Sequence, residues 1–531
     1  MNERLKKNLV LQGSILAIAG LISKVIGFIY RIPMANIMGN TGNGLYSVAF
    51  GLYNIALTLS SYSMPLAVSK LMSARLAKGD KKNAHRLFHD ALIFATCTGL
   101  IASTALYAGA EFFAGLYRKE GLEMPLRVLA PTVFVVAMLG CCRGFFQGHR
   151  NMVPTAVSQV IEQIVNAVVS VAAAAYFTKI ATGVNASAYG AMGGTFGTLA
   201  GAATALLLFI IIFITRQVLI KKKEGGPDLG DMPLEDHKIL IKAVFFTVLP
   251  VIISQSIYQL GYTLDDLIFG NLMTLKGVSE VQTTDLQGVF NTQYNQMINL
   301  PTAIATAMAS ATLPSIVASH TRGETDKVRS KTDTVIKVNM LIAIPSAIGL
   351  AVLAEPIMGV LFPKLGDMMD MAVMLLRTGS LAVVFYALST LSTSILQGCD
   401  RMRLPVIHSG ISLALHVAIV AGCLCFTDLG VYALVIGNVS FPLLVCFLNC
   451  RSIIKILGYR FRWKDAFLKP LAASLVMGVA AFAVYMVFKG SLGMLSAMIL
   501  AIASAMAVYV LMLLALKAVT VSELKRMIKR R

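Results

Sequence analysis

The chain has 531 residues, is 57% hydrophobic and only 14% charged, and has a mean hydropathy of +0.75. A water-soluble globule of this size needs far more surface charge, so the bilayer is the expected solvent. The net charge of +20 would suit a nucleic-acid partner only if the 46 Lys and Arg shared one surface, and they do not.

In chain order, apolar runs predict membrane helices over 9-33, 44-68, 89-115, 126-147, 155-178, 187-215, 241-263, 288-317, 334-353, 370-396, 405-426, 431-449, 467-488 and 492-516, fourteen in all. Each is long enough to cross about 30 Å of hydrocarbon. They are apolar all round and contain Gly and Pro, unlike barrel strands, which alternate over about ten residues. Met1 to Lys7 opens an uncleaved first helix, because no small-residue cleavage site closes the run after it.

The charges between the runs alternate. Segments 1-8, 70-90, 143-150, 216-242, 322-337, 401-403, 451-469 and 517-531 hold 36 Lys and Arg. The other loops hold eight: Arg118, Lys119, Arg127, Lys179, Lys276, Lys364, Arg377 and Lys489. By the positive-inside rule both termini are cytoplasmic in a multi-pass bacterial inner or plasma membrane protein. The eight cysteines lie in or at the ends of apolar helices, without partners at metal-ligand spacing, and read as packing residues.

An internal repeat organises the chain. Gln147-Gly148 ends the fourth run and Gln397-Gly398 the tenth, and Gly79-Asp80 matches Gly323-Glu324. The predicted architecture is all-α, with an N-lobe at 1-215, a cytoplasmic linker at 216-242, a C-lobe at 243-450, and two further helices with a basic tail at 451-531. Six runs per copy put both lobes in the membrane in the same orientation, the parallel repeat of two-lobed carriers.

Polar residues inside the runs mark the chemistry. Lys24 and Arg31, two helical turns apart, share one face of the first helix, and a charge in hydrocarbon costs about 2.5 to 3.5 kcal/mol unless it meets water or an anion. Asn54, Thr58 and Ser61 line the second helix; Gln255, Gln259, Tyr262 and Asp266 the seventh, with Asp265 about 100° away; Asn291, Asn295, Asn299, Thr302 and Thr306 the eighth. Stripes this long read as walls of a wet cavity. Gln159, Glu162, Gln163 and Asn166 on the fifth, and Ser409, Ser412 and His416 on the eleventh, suit either a cavity or helix-to-helix hydrogen bonding. Gly193, Gly197 and Gly201, in an apolar run with no preceding strand, are predicted to serve close helix packing. The thirteenth and fourteenth helices carry no charge between Lys469 and Lys489 or between Lys489 and Lys517, and face lipid or a lipid tail.

Ile22-Ser23-Lys24-Val25-Ile26-Gly27-Phe28-Ile29-Tyr30-Arg31, Gly44-Leu45-Tyr46-Ser47, Leu264-Asp265-Asp266, Leu300-Pro301-Thr302-Ala303-Ile304 and the two Gln-Gly turns carry a family resemblance. The chain resembles the polysaccharide and lipid II flippases of the multidrug/oligosaccharidyl-lipid/polysaccharide exporter superfamily, in the stage V sporulation protein B-like branch. The resemblance implies a V-shaped, alternating-access pair of lobes. Where the better-known lipid II flippases have an Arg-Asp pair, this sequence has Tyr30-Arg31. The substrate implied is a polyprenyl-pyrophosphate-linked sugar, its charges offset by Lys24 and Arg31. Other expected partners are membrane lipids of an anionic inner leaflet and a coupling ion, H⁺ or Na⁺; no cofactor, metal or nucleic acid is expected, and the protein is read as a monomer and not an enzyme. A cation-coupled multidrug antiporter would instead use Glu162, Asp265 and Asp266. A polyprenyl-dependent glycosyltransferase would need a larger outer or cytoplasmic loop than the sequence offers.

Overall fold

The computed structural model describes residues 3–181, 186–222 and 233–519, and every regular element among them is helical. Residues 223–232 of the predicted linker and most of the basic tail lie outside them. Nine described helical runs are long and apolar enough to cross a membrane, or ten if a pair bent by 44° counts as one. Two of the nine exceed a single crossing. Ile15–Ala77 has 63 residues and Lys464–Ala515 has 52, which is about 95 and 78 Å of helix.

The chain forms two compact units, Met1–Gly288 and Val289–Arg531. The first contains α1 (Glu3–Ser60), α2 (Met64–Ala77), α3 (Lys81–Ala108), α4 (Ala110–Tyr117), α5 (Glu123–Gly148), α6 (Val153–Ile180), α7 (Ala186–Lys222), α8 (His237–Leu275) and α9 (Glu280–Gly288). Helix α1 covers most of the first two predicted spans and is broken at Gly39, whose φ of 71° and ψ of −178° no side-chain-bearing residue adopts without strain. Helix α8, which the repeat places with the second lobe, packs here against α1, α3 and α9. The predicted outer loop over 264 to 287 is largely helical, since α8 continues to Leu275.

The α6–α7 seam bears out the glycine reading. A Cβ on Gly193 would stand 2.6 Å from the Ala173 carbonyl oxygen, one on Gly197 2.5 Å from that of Asn166, and one on Gly201 2.5 Å from that of Glu162. The helices meet backbone to backbone, as small residues permit in a membrane.

The second unit begins with a π-helical stretch, Val289–Tyr294, and continues as α10 (Asn295–Thr321), α11 (Thr325–Val352), α12 (Ala354–Leu361), α13 (Met369–Gly379), α14 (Ala382–Gly398), α15 (Arg403–Phe426), α16 (Tyr432–Leu457) and α17 (Lys469–Ala515). The tenth predicted span is the bent pair, α13 leading into α14. Each repeat landmark has the same backbone in both copies. Asn151 N–H bonds the Phe146 carbonyl and Arg401 N–H that of Leu396; Asp80 N–H bonds Arg75 and Glu324 N–H bonds Ser319. These are the bonds that close a helix end before a left-handed residue, supplied by Arg150, Asp400, Gly79 and Gly323.

Candidate functional site

Helix α1 has three distinct sides. Ser23, Gly27 and Tyr30 pack on α6: Ser23 Oγ donates to the Gln159 carbonyl at 3.3 Å, and Asn166 Nδ2 to Tyr30 Oη at 3.4 Å. Ile18, Ile22, Val25 and Ile29 form an exposed apolar side. Lys24 and Arg31 occupy a third position, about 140° around the helix from that apolar side at 100° per residue. Both are exposed, Arg31 is flanked by Tyr30 and Tyr46, and neither forms an ion pair with an acid among the described residues. Both cations thus project away from the exposed apolar side of α1.

The acids are held differently. Glu162, half-buried on α6, meets Arg143 Nη2 at 2.5 Å, and Arg143 Nε also donates to Ser158 at 3.2 Å. Arg143 falls both in the basic segment 143-150 and inside the predicted span 126-147. That overlap is the signal for the pair. Asp265 and Asp266 are both buried, well inside α8. Gln287 Nε2 donates to the Asp266 carbonyl at 2.8 Å and to its Oδ1 at 3.3 Å.

The polar stripes are not uniformly open. Asn54 is half-buried, while Thr58 and Ser61 are buried and donate to the carbonyls of Asn54 and Leu57 on their own helix. Gln255 and Gln259 are half-buried on α8, and the Tyr262 side chain lies outside the described residues. Within the second unit, Asn438 Nδ2 donates to Asn295 Oδ1 at 2.7 Å and Asn295 Nδ2 to Asn291 Oδ1 at 3.3 Å, which ties α16 to the start of α10. Asn299 is exposed one turn later. The predicted wall of the eighth helix therefore has a hydrogen-bonded end and an open end. On the eleventh, His416, Ser409 and Ser412 are buried, and His416 Nδ1 meets the Gly437 carbonyl at 3.0 Å.

A cluster not foreseen from the sequence surrounds Lys119, in the turn after α4. This lysine is only 2% exposed and its Nζ donates to Thr284 Oγ1 at 2.8 Å. Thr41 Oγ1 donates to Asp285 Oδ1 at 2.6 Å, Tyr117 Oη to the Thr263 carbonyl at 3.3 Å, and the Glu120 amide to Glu280. Together these bonds close the loop after α4, and the part of α1 beyond Gly39, onto α8 and α9. Burial lowers the Lys119 ammonium to about 8, against the opposing pull of Asp266, Glu280 and Asp285. Burial also raises the Asp285 carboxyl, with Thr41 and Lys119 opposing. In the sequence Lys119 is one loop lysine among several, because enclosure has no linear signature.

The model of the polysaccharide biosynthesis protein family matches residues 9–320, more than half of the chain. The chain belongs to that family. A second family model, MatE, matches residues 250–421. Relatives of this member of the polysaccharide biosynthesis protein family include the lipid II flippase MurJ of Bacillus subtilis (strain 168), 26% identical over 76% of this chain and 75% of that one. The stage V sporulation protein B of the same organism is 25% identical over 98% of each chain. Among solved structures, a lipid II flippase MurJ in an inward closed conformation superposes with a TM-score of 0.65, at 16% identity over 94% of this chain and 97% of that one. An inward-facing multidrug resistance MATE family transporter superposes with 0.62, at 16% identity over 81% and 99%. The chain thus has the all-α membrane-transporter fold of these proteins.

Proposed function

We propose that this family member is an alternating-access flippase that moves a polyprenyl-pyrophosphate-linked sugar, lipid II or another cell-envelope precursor, from the cytoplasmic to the outer leaflet. The observation that carries the reading is the pair of exposed cations on one side of α1. A pyrophosphate brings at least two negative charges, and Lys24 and Arg31 present two cations that form no ion pair among the described residues. The names of the flippase relatives supply the substrate class.

In this reading the chain crosses the bilayer fourteen times with both termini cytoplasmic, and residues 1-215 and 243-450 form the two lobes. The head group enters from the cytoplasm and meets Lys24 first. Asn54, Gln255, Gln259, Asn291 and Asn299 offer hydrogen bonds to the sugar, while Asn295 positions Asn291. Glu162, Asp265 and Asp266 complete the substrate-binding set of this reading. The protein acts as a monomer, and no bond of the substrate is broken.

The antiporter alternative is weakened by the state of its acids. Glu162 is neutralised by Arg143, and Asp266 is engaged by Gln287 with Lys119 near it. A cationic drug would find two cations on α1 instead of a free carboxylate.

Depletion of the protein, followed by mass spectrometry of lipid-linked intermediates, tests the reading. Accumulation of a polyprenyl-pyrophosphate sugar protected from externally added hydrolases is expected. An unchanged lipid-linked pool together with a lost drug-efflux phenotype would favour the antiporter.

A further inference from the structure

The segment joining α16 to α17 is an elbow whose shape is imposed by α11. Arg329 Nε donates to the Leu457 carbonyl at 2.5 Å and closes the end of α16. Gly458 then turns the chain with a φ of 57°, and a Cβ there would stand 2.9 Å from the Arg329 guanidinium. Tyr459, buried, donates its hydroxyl to Asp333 Oδ1 at 3.0 Å, and Arg462 Nε meets Asp333 Oδ2 at 3.3 Å. With one side tethered in this way, Arg460, Trp463 and Lys464 are left exposed.

Trp463 is the sole tryptophan of the sequence and is 61% exposed. Phe461 and Phe467 flank it, with ring centroids at 5.7 and 4.9 Å. Arg451, Lys455, Arg460 and Lys464 form no ion pair among the described residues, and the one acid of the elbow, Asp465, is engaged by Lys469 at 2.6 Å. Directly beyond, Leu468, Leu471, Leu475, Val479 and Phe482 continue as exposed apolar residues at intervals that keep them on one side of α17. Free phosphate or an acidic peptide matches only the charge, and a neutral lipid only the apolar side. An amphiphile with an anionic head matches both, and an aromatic ring between the two parts suits the head-group boundary.

We propose that the elbow over residues 457–469 is a docking site for an anionic phospholipid of the inner leaflet, its phosphate taken by Arg460 and Lys464 and its acyl chains laid along Leu468 to Phe482. The proposal rests on the reading that segment 451-469 is cytoplasmic. Because Trp463 is the sole tryptophan, its fluorescence in the full-length protein reports this elbow alone. In phosphatidylcholine proteoliposomes, dibrominated phosphatidylglycerol should half-quench Trp463 at a mole fraction roughly thirtyfold lower than dibrominated phosphatidylcholine does, the size of effect expected from two basic side chains at an anionic surface. The double variant R460Q/K464Q should bring the two curves together without reducing the depth of quenching, and R460K/K464R should keep them apart. Coincident curves in the native protein, or selectivity unchanged in R460Q/K464Q, would overturn the lipid site and leave the flippase reading intact. Absence of quenching by either lipid would remove the elbow from the membrane surface and overturn the proposal.

Discussion

Lys24 is exposed on α1 and forms no ion pair among the described residues, whereas Lys119 is enclosed beside Thr284, Asp266, Glu280 and Asp285. In the proposed flippase, neutralising Lys24 removes a charge-assisted contact to the pyrophosphate worth about 1.5 to 3 kcal/mol. Lys24→Ala should therefore express normally, since an intramembrane charge is lost, yet reduce transport at least tenfold, while Lys24→Arg retains most of it. Full transport by Lys24→Ala at normal expression would sink the anionic head-group model. Lys119 yields a pH prediction instead. Its ammonium is held near 8 when enclosed and near 10.5 when solvated, so the enclosed form binds fewer protons between those values. The cost of burying the charge is complete below pH 8 and is relieved as pH rises to about 10.5, at no more than about 1.4 kcal/mol per pH unit. The thermal stability of the native protein relative to Lys119→Met should rise over that window, and a flat difference would show that Lys119 does not titrate there. Between the adjacent acids, Asp266→Asn should impair complementation more than Asp265→Asn, because the Asp266 carboxylate accepts from Gln287 within the Lys119 cluster. The reverse order in a flippase-depleted strain would reassign that side of α8.

Helices, as elements, were largely legible from hydropathy because a membrane helix satisfies its own backbone and needs only length and apolarity. Their breaks were less so. Gly39 and the bend between α13 and α14 lie inside apolar runs, where a kink leaves hydropathy unchanged. The glycine stripe of α7 was readable because small residues at four-residue spacing have one common use in a bilayer. Gly197→Val should therefore force α6 and α7 apart and cost about 1–3 kcal/mol or more, read as a lower unfolding midpoint in detergent. Gly410→Ala, where nothing lies within 4 Å of an added Cβ, should leave the midpoint unchanged. Equal effects of the two substitutions would show that the seam tolerates bulk.

For the whole molecule, the testable quantity is topology. Lys119 is enclosed and would label poorly, so Glu120, Val281 and Asp367, all exposed, are the positions for cysteine on the proposed outer side, and Lys81 and Lys464 on the proposed inner side. With the exposed native Cys97 and Cys425 replaced first, an impermeant maleimide should reach the first three in intact cells and the last two only after permeabilisation. Labelling of Lys464→Cys in intact cells would invert the map and with it the direction of transport.

Composition, span lengths and the alternation of basic loops determined by themselves that this chain is an all-α membrane protein, because these are averages over many residues that no local arrangement reverses. The repeat was equally available, since its turns need left-handed residues at fixed places. What the charged groups do was decided only by tertiary structure. In the sequence Glu162 looks like a free intramembrane acid, and Lys119 like a solvated loop lysine. The first becomes half of an ion pair when α5 brings Arg143 beside it, and the second is enclosed when α8 and α9 meet the loop after α4. A side chain's charge state and availability depend on what lies within a few ångströms of it, and neighbours supplied by other helices are not written in its own.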